Sequence, residues 1–155
     1  MPAPRHSAEF PPPPEDLSFG EVRLRFERIV PADAAHGFAP YYHFQILDKT
    51  GAAAGHINFR LGETEHLMVC AGHIGFRVEE AFRGRGYAEQ ACRALAPFVR
   101  SIYESVIVTT NPDNRASIRT IENLGAEFLG VIDVPPHDPG YAKGARVKRR
   151  YRWMP

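Results

Sequence analysis

Residues 72–100, GHIGFRVEEAFRGRGYAEQACRALAPFVR, constrain this chain more than any other stretch. They read as an apolar strand over 73–78, a short turn, an arginine- and glycine-rich loop over 83–88 and then a helix. Gly84 and Gly86 let the backbone turn sharply and bring its N–H groups close to a ligand, with no Cβ in the way. The helix that follows leaves its first N–H groups unpaired and sets the positive end of its dipole at the same place. Arg83 and Arg85 add permanent positive charge. Together these features predict a cup for a di-anion such as a pyrophosphate.

Two familiar phosphate loops fail on spacing. There is no Gly-x-x-x-x-Gly-Lys-Ser/Thr run, and Gly84-x-Gly86-x-x-Glu89 has a glutamate where a Rossmann fingerprint needs a third small residue. The stretch resembles instead the coenzyme A loop of the GNAT superfamily of N-acetyltransferases, written Gln/Arg-x-x-Gly-x-Gly/Ala. Arg83, Gly86 and Ala88 fill its defined places, and Val78 stands before Arg83 at the interval usual in that family.

The rest of the chain supplies elements in a matching order. Residues 21–30 alternate, with Val22, Leu24 and Phe26 on one side, and residues 41–47 and 53–61 read as two more strands joined by a turn at 48–51. The fourth strand is the one before the loop, with a start as early as Leu67 allowed by its composition. The helix after the loop carries Ala88, Ala91, Cys92, Leu95, Phe98, Val99 and Ile102 at helical spacing, with Pro97 predicted to kink or end it. Residues 104–110 are β-branched and read as a buried strand. Asn111 to Asn114 cap a helix that closes at Gly125, and strands follow over 126–134 and 146–153. The order β-β-β-β-α-β-α-β-β is that of the GNAT fold. The resemblance therefore implies an α/β (α+β) mixed sheet of the GNAT-type acyl-CoA N-acyltransferase kind, with its fourth and fifth strands splayed.

Length allows one domain: 155 residues can bury about 70% of their unfolded surface without staples. That domain is expected over 21–155, preceded by a disordered arm over 1–20 that contains Pro11 to Pro14. A formal net charge of +1 gives no field to hold nucleic acid or an anionic membrane. No apolar run approaches the ~18 residues of a membrane span, and no signal-peptide pattern opens the chain. Cys70 and Cys92 match no metal or redox motif and read as reduced thiols of a cytoplasmic protein. His43, His56 and His66 lack ligand spacing, so no metal is expected.

What the resemblance implies about the site is specific. Acetyl-CoA is the cosubstrate. The backbone of Phe76, Arg77 and Val78 matches the strand edge that receives pantetheine, and Arg83, Gly84, Arg85, Gly86, Tyr87 and Ala88 match the pyrophosphate loop. Asn111, Asn114 and Ser117 resemble the Asn-x-x-Ser pattern of the ribosomal-protein and small-amine branch, where the Asn contacts pantetheine and the Ser lies near sulfur; helix capping is the competing role for these residue types. The family's general-acid tyrosine is replaced by Ile121, so Ser117 or a water would serve the leaving thiolate, or the thiolate would depart unaided. His73 is the nearest candidate base, with Glu79 and Glu80 behind it, although strand alternation points His73 away from 72, 74, 76 and 78 and favours a core role equally.

The short connection over 31–40 leaves no room for the acceptor-side helices of most GNAT proteins. The acceptor side should then be open, or be completed by Tyr41, Tyr42, residues 62–72, residues 135–144 or a second subunit, as in a homodimer. The basic stripe on the last strand reads as a charge-protected edge or as an attractor for acidic substrates. The leading reading is direct transfer of acetyl from acetyl-CoA to the amine of a small molecule or protein N-terminus. The alternative is a coenzyme-A-binding module without turnover.

Overall fold

The structure, a computed structural model, describes residues 10–155. A five-stranded antiparallel sheet runs in the order β1 (Ser18–Phe19), β2 (Val22–Val30), β3 (Tyr41–Leu47), β4 (Ala53–Arg60), β5 (Ile74–Val78). After β5 come helix α1 (Tyr87–Ile102), β6 (Val106–Thr110), α2 (Arg115–Asn123), β7 (Glu127–Asp133), the short α3 (Pro139–Ala142) and β8 (Val147–Trp153). The last three strands form a second antiparallel sheet in the order β6-β8-β7. Because β1 precedes the expected first strand, the fourth and fifth strands of the sequence reading are β5 and β6.

Alternation along the strands sorts the first sheet into two unlike faces. Tyr42 and Phe44 of β3, Ile57 and Phe59 of β4 and Ile74 of β5 are buried against Ala91, Leu95, Phe98 and Val99 of α1. Phe98 is the hub, meeting Tyr42 edge-on at 4.9 Å and Phe59 at 5.6 Å between ring centroids. Each such pair adds about 0.5–1.5 kcal/mol beyond the area it buries. The opposite face carries Tyr41 and His43 of β3, His56, Asn58 and Arg60 of β4, and Gly75 and Arg77 of β5. The β2–β3 connection builds only a 3-10 turn over Ala34–His36, so it contributes no long helix to cover that face.

Several expectations are corrected. The arm expected over 1–20 falls partly on residues 1–9, outside the described residues; of the rest, Pro11 and residues 17–19 contact the sheet. Leu17 is only 3% exposed, Ser18–Phe19 pairs with β2, and the Tyr42 hydroxyl donates to Pro11 O at 2.6 Å. Leu67–Ala71 is a π-helical turn rather than the start of a strand. Phe26 sits beside a bulge between Phe26 and Arg28 and stays 40% exposed. Helix α1 runs through Pro97 to Ile102, because Pro97 lies on the exposed side, where water can satisfy the carbonyl it frees.

The basic last strand is not an edge. β8 is the middle strand of its sheet, with β6 and β7 on either side. Two of its arginines are engaged within the fold: Arg150 Nε donates to Met68 O at 2.9 Å and Arg149 lies 4.3 Å over the Phe128 ring, while Arg152 stays exposed beside Glu127.

Candidate active site

β5 and β6 meet at one end and part at the other. Where they meet, His73 N–H donates to Ile107 O at 2.7 Å. Beyond that point β5 pairs with β4 alone. Arg60 N–H donates to His73 O and Glu79 N–H to Ala54 O, which fixes the phase of the β4–β5 ladder. The odd-numbered residues of β5 turn their backbone groups to β4, and those of Phe76 and Val78 face the other edge. Among the described residues no strand fills that edge.

A groove of about 530 Å³ lies along it. Phe76, Arg77 and Val78 form its strand wall, and Arg83, Gly84, Gly86, Tyr87 and Ala88 form the end where α1 begins. Asn114 and Ser117 face them from α2. Gly86 is the N-terminal cap of α1 at φ 72°, a left-handed conformation that glycine adopts without a Cβ penalty. No side chain caps α1. Gln90 is the first residue to donate back, to Gly86 O, so the N–H groups of Tyr87, Ala88 and Glu89 are left for a ligand. Arg83 folds back so that Nε donates to Val78 O at 3.0 Å, tying the loop to the strand end and leaving its terminal nitrogens free for an anion. Glu89, the acid in this first turn, is paired with Arg93 at 3.0 Å.

Arg85 and Asn111 lie outside the groove. Arg85 stacks 5.6 Å over Phe82, and Asn111 lines a separate hollow that includes Lys143 and Lys148. Asn114 is a true cap, its Oδ1 accepting from Ser117 N–H at 3.1 Å, and its amide NH₂ remains available. Glu79 is exposed beyond the strand end and does not line the groove. Ile121 is fully buried in the core, so no hydroxyl stands at the family's tyrosine place.

His73 requires a correction as a base. It is 5% exposed, its Nδ1 accepts from Ile107 N–H at 3.0 Å, and its Nε2 donates to Gly62 O at 3.1 Å. Both ring nitrogens are committed, and the imidazole is neutral in this arrangement. Burial holds its pKa below the ordinary 6.5. His73 staples the point where β5 and β6 meet.

Tyr42 is likewise removed from the acceptor side, since it is buried beneath α1. The other segments expected there converge: Tyr41, three residues of the 62–72 segment and Lys143 line one cavity with the 30–39 segment.

Two groupings were not visible in the sequence. On the polar face His43 lies between Asn58 Oδ1 at 2.6 Å and Glu27 Oε1 at 3.5 Å, with His56 beside it at 5.3 Å between rings. Burial, then the charges of His43 and Arg77, hold the His56 pKa below its ordinary value. The second grouping is His66, Cys70 and Asp138, whose ligand atoms all lie within 4.8 Å of one another. Asp138 is 2% exposed and its Oδ1 accepts from both His66 Nδ1–H and Gly140 N–H at 2.8 Å, pinning α3 to the π-turn. Burial first, with the Asp138 carboxylate adding to it, pushes the Cys70 thiol up and keeps it protonated.

The description of the acetyltransferase (GNAT) domain matches residues 3–127, most of the chain. The chain belongs to the GNAT family. Among curated proteins no sequence matches. Among solved structures, the ribosomal-protein-S5-alanine acetyltransferase from Vibrio fischeri is 17% identical with a TM-score of 0.58, over 74% of this chain and 61% of that one. The acetyltransferase from Salmonella typhimurium that modifies the N-terminal serine of ribosomal protein L7/L12 is 20% identical with a TM-score of 0.58, over 74% and 64%. A ribosomal L7/L12 alpha-N-protein acetyltransferase in complex with coenzyme A is 19% identical with a TM-score of 0.56, over 74% and 62%. At these identities the likeness is one of fold, and this GNAT chain spans less than two thirds of the length of each. Among the described residues no helix is long and apolar enough to cross a membrane.

Proposed function

We propose that this GNAT chain transfers an acetyl group from acetyl-CoA directly to a primary amine within a ternary complex. The observation that carries the reading is the groove in which the free edge of Phe76 and Val78 runs into the Gly86-capped start of α1. The edge would take the pantetheine amides as an added strand, and the loop and helix N–H groups would take the pyrophosphate. A fold relative binds coenzyme A, in accord with this.

In the transfer the amine nitrogen bonds to the thioester carbonyl carbon, the C–S bond breaks, and coenzyme A leaves as the thiolate. A free N–H of β5 stabilises the oxyanion and the Ser117 hydroxyl hydrogen-bonds the departing sulfur. The proton lost by the amine goes to His56, directly or through water. His56 is unprotonated near neutral pH and makes no hydrogen bond to any described residue. The acceptor enters from the polar face, on the opposite side of β5 from the groove. Both cysteines are free and buried, which suits a reducing cytoplasm and leaves no exposed thiol for an acetyl-cysteine intermediate.

The second reading, a coenzyme-A-binding module without turnover, is favoured by one observation, the apolar Ile121 in the general-acid position. Incubation with acetyl-CoA and a panel of amines, followed by free thiol release, separates the two. Amine-dependent release with intersecting double-reciprocal plots is expected. Tight coenzyme A binding with no amine-dependent release would favour the module.

A further inference from the structure

The acceptor side contains a half-buried cation without an ionic partner. Arg60 closes β4 on the polar face and lines a cavity of about 720 Å³. Its Nη1 donates to Ala71 O and Gly72 O, both at 3.2 Å. No carboxylate of the described residues lies within ion-pair distance of it. Nε and Nη2 make no hydrogen bond to a described residue and are not sealed from solvent. The guanidinium lies 5.9 Å from the centre of the Tyr41 ring, and a half-buried charge with no counter-ion would be stabilised by an anion from solution. The rest of the wall agrees in sign. Lys143 lines the cavity, and its single described carboxylate, Asp33, is held by His36 at 2.8 Å.

The cation also stands where the reaction would occur. A Cβ built on Gly75 would lie 2.9 Å from Arg60 Nη2 and 3.0 Å from Nη1, so the guanidinium occupies the space that only a glycine leaves. Gly75 precedes Phe76, whose side chain lines the groove on the other face of β5. Cavity and groove are therefore back to back across one strand.

We propose that this cavity holds the acceptor and that Arg60 seats a carboxylate close to the acceptor's amine. The preferred substrate is then an amino-carboxylate, either a free amino acid or a peptide beginning with an acidic residue. This rests on the acetyl-transfer reading above. The amine displaces the thiolate as described, and the carboxylate takes no part in bond making. Val30, Ala34, Phe38 and Leu67 give the cavity apolar walls for a side chain.

The test compares thiol release from acetyl-CoA with L-alanine, L-glutamate, L-alaninamide and the peptide amide Asp-Ala-Ala, in wild type, Arg60→Gln and Arg60→Lys. Carboxylate-bearing amines are expected to exceed alaninamide in kcat/KM by about tenfold or more, the worth of a charge-assisted hydrogen bond. Arg60→Gln erases that difference and Arg60→Lys keeps part of it, while the thermal shift given by coenzyme A is the same in all variants. Gly75→Ala keeps the arginine but pushes it aside, and narrows the difference too. Faster free amino acids assign the α-carboxylate, and a faster peptide assigns the side-chain carboxylate. Equal rates with the amide in wild type, or a preference that survives Arg60→Gln, overturn the proposal. If no amine reacts although coenzyme A binds, the acetyl-transfer reading fails instead. The subsite is then judged by calorimetry of L-glutamate against the coenzyme-A-loaded protein. Heat lost in Arg60→Gln supports it, and no heat in wild type or equal heat in the variant overturns it.

Discussion

His56 lies on β4 and His73 immediately before β5, and their partners assign them opposite roles. His73 closes the joint between Gly62 O and Ile107 N–H, and removing it leaves a buried N–H and a part-buried carbonyl without their partner. His73→Leu should cost about 2–4 kcal/mol in urea unfolding, with coenzyme A binding weakened only as far as the fold is. Its titration has a definite sign. Burial keeps the folded pKa below 6.5, so the unfolded chain takes up a proton first as pH falls. The stabilisation is complete above about pH 6.5 and is lost as pH drops through that value toward the folded one. His73→Leu should reduce this acid-side slope, and His56, shifted the same way, accounts for part of what remains. If His56 is the base, His56→Gln should lower kcat about 10²-fold or more, and the wild-type kcat should hold its plateau to below pH 6.5. Strand alternation in the sequence already turned His73 away from the groove face. Its partners were not legible, because Ile107 is 34 residues away and the contact exists only once β6 docks.

At the scale of elements, the loop and helix after β5 were readable because their chemistry is local. Positive-φ glycines, an uncapped helix start and helical apolar spacing are written in consecutive residues. Gly86→Glu adds negative charge and strains a left-handed cap, and should abolish the thermal shift produced by coenzyme A while leaving far-UV circular dichroism unchanged. An unchanged shift would mean that the loop holds no phosphate. Pro97 does not end the helix. Its cost is borne on the solvent side of α1, so Pro97→Ala should raise stability, by up to about 3 kcal/mol in denaturant unfolding. The π-turn at Leu67–Ala71 and the central place of β8 were not legible, since distant partners such as Arg150 fix them. A stripe of arginines looks the same in a sequence whether water or a neighbouring strand receives it.

Taken whole, the molecule is two antiparallel sheets joined by a short seam, with the groove and the polar cavity on either side of the strand beside that seam. The succession of strands and helices along the chain from β2 onward was legible from alternation and turn residues. The opening between β5 and β6 was expected only through resemblance, because no local pattern encodes the absence of a partner. The place of residues 17–19 in the fold was missed for the same kind of reason: Leu17 is one apolar residue after a proline run, and its burial and the pairing of Ser18–Phe19 with β2 exist only in the folded chain. Leu17→Ala should destabilise the whole domain by about 2–4 kcal/mol, measured as a single cooperative unfolding step. A loss below about 0.5 kcal/mol, the range of ordinary surface changes, would return that segment to the status of an arm. The central claim is tested most directly by a crystal structure with acetyl-CoA bound. The account predicts the pyrophosphate on the N–H groups that open α1, the pantetheine paired with Phe76 and Val78, and the acetyl group at Gly75–Phe76 facing the Arg60 cavity. A ligand bound elsewhere, or β5 and β6 paired along their length with no slot between them, would contradict it.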